Sequence, residues 1–238
     1  MFPPLIHFFG PDGSGKSTQV ELLVDFLQNR GIRVKKCWVR SPHTLAFLLW
    51  RLFVKIGFYR GVRNAFGVEI RLPAVDRSRA LCLFWALIEF FSVLPLVIRI
   101  RFLMWRGCKF VAERYLLDSV ATVAFFVNDI SFLRSRVARL FLMFIPKDTV
   151  FIFLDSDFET IFRRRAPMFG CGHIEKGRVY GTVPKSAVEP REFIDFQRVA
   201  YKALAKSFNA FAIDTSRNSV RETSDMILEY LQSSNMLS

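Results

Sequence analysis

The chain opens on five apolar or aromatic positions, Leu5-Ile6-His7-Phe8-Phe9, that stop at Gly10. A continuous run of this length closed by a turn residue predicts a strand buried on both faces. The period then changes. Val20, Leu23, Val24 and Leu27 recur at intervals of three and four, and Gly31 closes the stretch. That spacing predicts an amphipathic helix over residues 16–30 with a glycine stop. Residues 33–39 read as a second strand, and short apolar runs follow at 108–112, 150–154 and 210–213, each leading into a polar or acidic residue, with helical spacing between them. Strands alternating with helices predict an α/β fold on a mostly parallel sheet. Neither an internal repeat nor a linker interrupts residues 1–238, which read as a single domain.

Two stretches break this rhythm. Residues 163–192 are rich in Gly, Pro and charge with weak periodicity, the composition of a lid or long functional loop. Residues 41–105 are apolar and basic at once, and over 45–105 they predict a helical surface. Residues 40–110 hold twelve Lys or Arg against three Asp or Glu, so most of the net charge of +13 lies there. A balance this basic favours anionic partners such as nucleotides, nucleic acid or an acidic membrane face. No nucleic-acid recognition motif accompanies the charge.

Residues 80–98 carry one charge, Glu89, and one proline, Pro95. Nineteen such residues approach the length of a membrane span. A span there would pull the 108–112 strand away from the sheet, so the stretch reads as a core helix or a homodimer face. Phe47, Leu48, Trp50, Phe53 and Phe58 among Arg51, Lys55, Arg60 and Arg63 also suit peripheral contact with a membrane interface. The start of the chain lacks the basic and apolar segments of a signal peptide. The four cysteines are scattered, as free core thiols in a reducing compartment would be. Cytoplasmic location, with membrane association left open, follows.

The sharpest signal is Gly10-Pro11-Asp12-Gly13-Ser14-Gly15-Lys16-Ser17-Thr18, a complete G-x-x-x-x-G-K-[ST] between a strand and a helix. The glycines let the backbone curl so that amides point inward, and the helix N-terminus adds partial positive charge. Lys16 would reach the β- and γ-phosphates of ATP, and the Ser17 hydroxyl would hold Mg²⁺. A GTPase is excluded by the lack of any Asn followed by Lys. Two strand-end carboxylates, Glu113 and Asp155, could each coordinate magnesium through water.

Three segments together resemble the thymidylate kinase family of P-loop nucleoside monophosphate kinases. They are the loop, including Asp12 before its second glycine, then Phe110-Val111-Ala112-Glu113-Arg114-Tyr115, and the run from Leu154-Asp155 through 192–205 to Ile213-Asp214-Thr215-Ser216. Residues 41–105 match poorly. The resemblance implies a five-stranded parallel sheet flanked by helices and a mobile lid. It also implies ATP and Mg²⁺ at the loop and an acceptor monophosphate opposite. Carried over, Arg114 would clamp the acceptor phosphate, Glu113 would place magnesium or the acceptor, and Asp12 would face the acceptor. One or more of Arg163, Arg164 and Arg165 would close over the transferred phosphoryl group. Arg40 could face the same cleft.

The departures concern the acceptor. Where the family presents an aromatic and a glutamine to thymine, this chain has Thr122 and Val123. The family's upstream acceptor-side arginine has no counterpart around Ile88-Glu89-Phe90. ATP-dependent phosphoryl transfer to a nucleoside monophosphate is therefore expected with a rebuilt base pocket. Two alternatives stand beside it: a kinase of a non-nucleotide acceptor, and a nucleotide-switched module at a membrane.

Overall fold

The computed structural model describes residues 2–64, 67–165, 173–175, 178–180, 189–234 and 236. Strand β1 (Leu5–Phe9) runs into the glycine loop and helix α1 (Lys16–Asn29), then β2 (Val34–Trp38). Helix α2 (Thr44–Lys55), the hairpin β3 (Tyr59–Arg63) and β4 (Glu69–Pro73), and the long helix α3 (Arg79–Trp105) follow. The chain continues through β5 (Lys109–Arg114), α4 (Leu116–Phe126), α5 (Arg136–Met143), β6 (Thr149–Asp155) and α6 (Phe158–Arg165). It ends with β7 (His173–Glu175), β8 (Arg178–Tyr180), α7 (Arg191–Ser207), β9 (Phe211–Asp214) and α8 (Val220–Ser233).

The central sheet has five strands in the order β2-β5-β1-β6-β9, every pair parallel. The predicted α/β class and all five predicted strands are present. Side chains of β1 alternate between two layers, as the period of a strand requires. Ile6 and Phe8 pack with Val20, Leu23, Leu27, Ile227 and Leu231 of α1 and α8. Leu5 and Phe9 face the opposite layer, against α3, α4 and α7. Because all strands run one way, the loops at their carboxyl ends gather on one edge, where α/β sheets bind ligands.

Residues 41–105 differ from the all-helical expectation. Between α2 and α3 lies the antiparallel hairpin, pairing Tyr59 with Pro73 and Arg63 with Glu69. Its alternation of Arg60, Val62 and Arg63 with Ile70, Arg71 and Leu72 leaves one face in contact with the core and the other in water. Helix α3 is one element of 27 residues through Pro95, and it alone is long and apolar enough to cross a membrane among the described helices. One face is core, burying Trp85, Phe90, Val93, Val97 and Ile100. The other exposes Phe84, Phe91, Ile98, Phe102 and Trp105. Most of the lid predicted over 163–192 lies outside the described residues, where only the hairpin β7–β8 and the flanking helices are seen.

Candidate active site

The phosphate loop has the backbone that its glycines make available. Gly10, Gly13 and Gly15 all adopt positive φ, at 146°, 90° and 92°. Gly10 passes so close to the Leu154 carbonyl that a Cβ would collide with it. At Gly15 nothing lies within 4 Å of where a Cβ would project, so the loop wall there is open.

Lys16 is buried and its Nζ donates to the Gly10 and Pro11 carbonyls at 2.7 and 2.8 Å. Burial pulls its pKa down to about 8, partly offset by the charges of Asp118, Glu189 and Glu113. Ser17 Oγ donates to Glu113 Oε1 at 2.5 Å. Both are hard oxygen groups of the kind that could hold a magnesium ion.

Asp155 is used otherwise. Its carboxylate is held by Arg198 at 2.8 and 3.0 Å and by Lys202 at 3.1 Å. Burial tends to raise its pKa, but the bonds from Arg198 and Lys202 hold it below the usual range. Of the two strand-end carboxylates, Glu113 is the one at the loop.

Across the loop stands a group of arginines. Asp12 pairs with Arg114 in close contact, with Arg40 at 3.6 Å and with Lys16 at 3.7 Å. Glu189 bridges Arg40 at 3.4 Å and Arg165 at 4.0 Å. Arg164 donates to the Thr215 carbonyl at 2.5 Å and to its hydroxyl at 3.2 Å. Thr215 Oγ1 in turn donates to the Ser14 carbonyl at 3.0 Å, tying the β9 loop to the phosphate loop. The cleft has a volume of about 700 Å³ and is lined by residues 12–19 with Arg40, Glu113, Arg114, Arg164, Arg165 and Thr215. Arg163 is exposed and does not line it. The structure thus gathers Asp12, Lys16, Ser17, Glu113, Arg114, Arg164 and Arg165, with Arg40, and leaves Arg163 outside.

Behind Arg114 lies a buried network that the sequence does not announce. Asp118 accepts from Tyr201 at 3.0 Å and lies 3.2 Å from His7 Nε2 and 3.5 Å from Arg114. Burial works to raise the pKa of Asp118, and the His7 hydrogen bond and the Arg114 charge hold it below the usual range. The one local signal is its place three residues after the α4 N-cap Tyr115, where its carboxylate accepts from the N-cap amide at 3.3 Å. His7, Tyr201 and Glu189 arrive from distant positions and carry no such signal. Of the two positions that replace the thymine-facing pair, Thr122 lines a cavity beside the cleft, whereas Val123 is wholly in the core.

No family model and no curated protein matches the chain. Among solved structures it is similar to thymidylate kinase from Candida albicans, with 17% identity and a TM-score of 0.56, over 100% of this chain and 94% of that one. It is also similar to thymidylate kinase from Ehrlichia chaffeensis, with 17% identity and a TM-score of 0.50, over 98% of this chain and 100% of that one. The likeness extends over whole chains and establishes the fold that the loop and the strand order already indicated.

Proposed function

We propose that this chain, folded as the thymidylate kinases are, is an ATP-dependent phosphotransferase acting on a phosphate-bearing acceptor. The observation that carries the reading is a cleft with a phosphate loop and Lys16 on one wall and Arg40, Arg114 and Arg165 on the other. A module that only binds and releases a nucleotide has no use for cations on the acceptor side.

The loop amides and Lys16 bind the phosphates of ATP, and Gly15 leaves room for their approach. Ser17 and Glu113 would hold magnesium, which supplies positive charge to the phosphate oxygens. The rest is positioning. Phosphoryl transfer spreads charge over three equatorial oxygens, so catalysis comes from fixed cations rather than from a nucleophilic side chain. Arginine suits the task because its planar fork grips phosphate in two bonds. Asp12, Asp118 and Glu189 keep these forks oriented, and an incoming acceptor phosphate competes with them for the same donors. A nucleoside monophosphate is the acceptor that the resemblance supplies.

Replacing Lys16 by Ala removes the charge that meets the β- and γ-phosphates. ADP formation should fall by roughly a hundred- to a thousandfold, the range typical for losing an electrostatic contact to the transition state. The circular dichroism spectrum should be unchanged. Wild-type turnover by Lys16→Ala, or ADP release indifferent to every phosphate-bearing acceptor tried, would refute the reading.

A further inference from the structure

We propose that the acceptor is the monophosphate of an apolar alcohol, of alkyl or prenyl type, and not a nucleotide. The inference rests on the phosphotransferase reading and concerns the acceptor half of the same site. A second cavity of about 300 Å³ adjoins the cleft, and Arg40 lines both. Glu189, also on its wall, binds Arg40 and Arg165 of the cleft, so the two spaces meet at that bridge.

Beyond the bridge the wall is hydrocarbon. It is built from Phe47 and Trp50 of α2, Ile70 and Leu72 of the hairpin, and Phe125 and Phe193 of α4 and α7. Some polar groups nearby are already engaged, though Ser41 Oγ and Arg60 Nε make no hydrogen bond. Trp50 Nε1 donates to the Arg71 carbonyl at 2.8 Å, and Arg60 donates to Asp76 and to the Phe125 carbonyl at 2.8 and 3.0 Å. Ser41 and Thr122 are the two hydroxyls on the lining.

A nucleobase brings several donors and acceptors on its edges. Each one buried without a partner weakens binding by about five- to a hundredfold. Arg40 and Glu189 on the lining are paired with each other, and Glu189 with Arg165 as well. Two hydroxyls alone cannot meet such a set, and Val123 is buried in the core where the family's glutamine would stand. An alkyl or prenyl body loses nothing here and gains by leaving water. At the ~30 Å³ that a water molecule occupies in the liquid, the cavity takes about ten non-hydrogen atoms. The phosphate end would lie at Arg40 and Arg114, facing the loop.

The reaction balances without a further reactant. An oxygen of the acceptor phosphate attacks the γ-phosphorus of ATP and forms a new P–O bond. The bond from that phosphorus to the β,γ-bridging oxygen breaks, and ADP leaves. The acceptor dianion has no proton to lose, and the product is a diphosphate monoester.

The test uses the full chain with ATP and Mg²⁺ and four acceptors below any micelle concentration: decyl phosphate, geranyl phosphate, decanol and dTMP. Phosphorus NMR identifies the product. Either phosphate ester should give a diphosphate with kcat/KM at least a hundredfold above dTMP, and the two chains distinguish alkyl from prenyl preference. Decanol, which has no group for Arg40 and Arg114, should be inert. A dTMP value equal to or above both esters would overturn the proposal, as would turnover of decanol.

Binding is read separately from turnover by tryptophan fluorescence, since Trp50 lies on the cavity wall. Decyl phosphate should bind, Ile70→Asp should weaken it at least tenfold, and Ile70→Val should not. If decyl phosphate fails to bind, the apolar-acceptor proposal fails even where ATP binds normally. If ATP does not bind but decyl phosphate does, the phosphotransferase reading fails and the cavity assignment survives.

Discussion

Lys16 carries its charge in a place that resists it. With a pKa near 8, the free protein holds the ammonium below about pH 8 and loses it above. The profile of kcat/KM for ATP reports ionisations of the free enzyme. It should therefore fall above about pH 8, towards tenfold per pH unit, while kcat falls only at higher pH because bound phosphates favour the charged form. In Lys16→Arg the charge persists and this limb should vanish, whatever rate remains. Glu89 is the opposite case. It lies in the core against α2, and the nearby Ser41 hydroxyl and His43 backbone form no well-aligned hydrogen bond with it. Burial raises its pKa to about 8. Between about pH 4.5 and 8 the folded state binds more protons than the unfolded, so its contribution is present at low pH and is lost as pH rises. Wild type should therefore lose on the order of 7–14 °C of Tm relative to Glu89→Gln from pH 5 to 8, at roughly 1.4 kcal/mol per unit and 2–4 °C per kcal/mol. Parallel melting curves of the two proteins would contradict it.

Elements place these residues, and the phosphate loop shows how tightly. A Cβ on Gly13 would lie 2.9 Å from Ile161 Cγ2 and 3.0 Å from Arg165 Cδ, and φ there is 90°. Gly13→Ala therefore strains the loop by about 1–2 kcal/mol and presses α6, with its arginine, out of the cleft. ATP affinity should drop about tenfold or more; isothermal titration giving an unchanged Kd would contradict this. The loop and its strand–helix setting are legible in the sequence because they are local: every contact of Lys16 with the backbone lies within six residues. Four of the five strands are legible for the same reason, each being a dense apolar run, and β2, where Lys35 and Lys36 stand between Val34 and Cys37, is legible from its place after the helix stop at Gly31. The hairpin is not, since its arginines hide the alternation of Val62, Ile70 and Leu72 among charges. Pro95 does not end α3, and the carbonyl it leaves without a helix partner is that of Phe91, an exposed residue. Nor could sequence tell Glu113 and Asp155 apart. What distinguishes them is that Asp155 is paired with Arg198 and Lys202 on α7, more than forty residues after it.

At the scale of the whole molecule, charge and apolarity meet on α2 and α3. Leu45, Leu48, Leu52 and Ile56 are exposed along or at the end of one helix, Phe84, Phe91, Ile98, Phe102 and Trp105 along the other, with Arg51, Lys55, Arg99, Arg101 and Arg106 among them. At 1.5 Å per residue α3 is about 40 Å long, enough to cross a bilayer, yet crossing would require undoing the fold. Its inner face buries Trp85, Phe90, Val93 and Val97 against α4 and α5, and Ser92 Oγ accepts from the Ala46 amide at 3.0 Å. Three residues after its C-cap the chain enters β5, the strand between β1 and β2 that carries Glu113 and Arg114. Drawing α3 into lipid would dismantle the central sheet and the site with it. Any contact of the molecule with a membrane would thus be through its surface, where each Lys or Arg contributes about 1 kcal/mol on an anionic leaflet and salt screens it. In membranes from expressing cells, 0.5 M salt followed by alkaline carbonate should release the whole chain, without detergent. Chain that stays in the pellet through both washes, and comes off only in detergent with its ATP binding intact, would mean that α3 inserts while the sheet survives, and that this placement of α3 in the core is wrong.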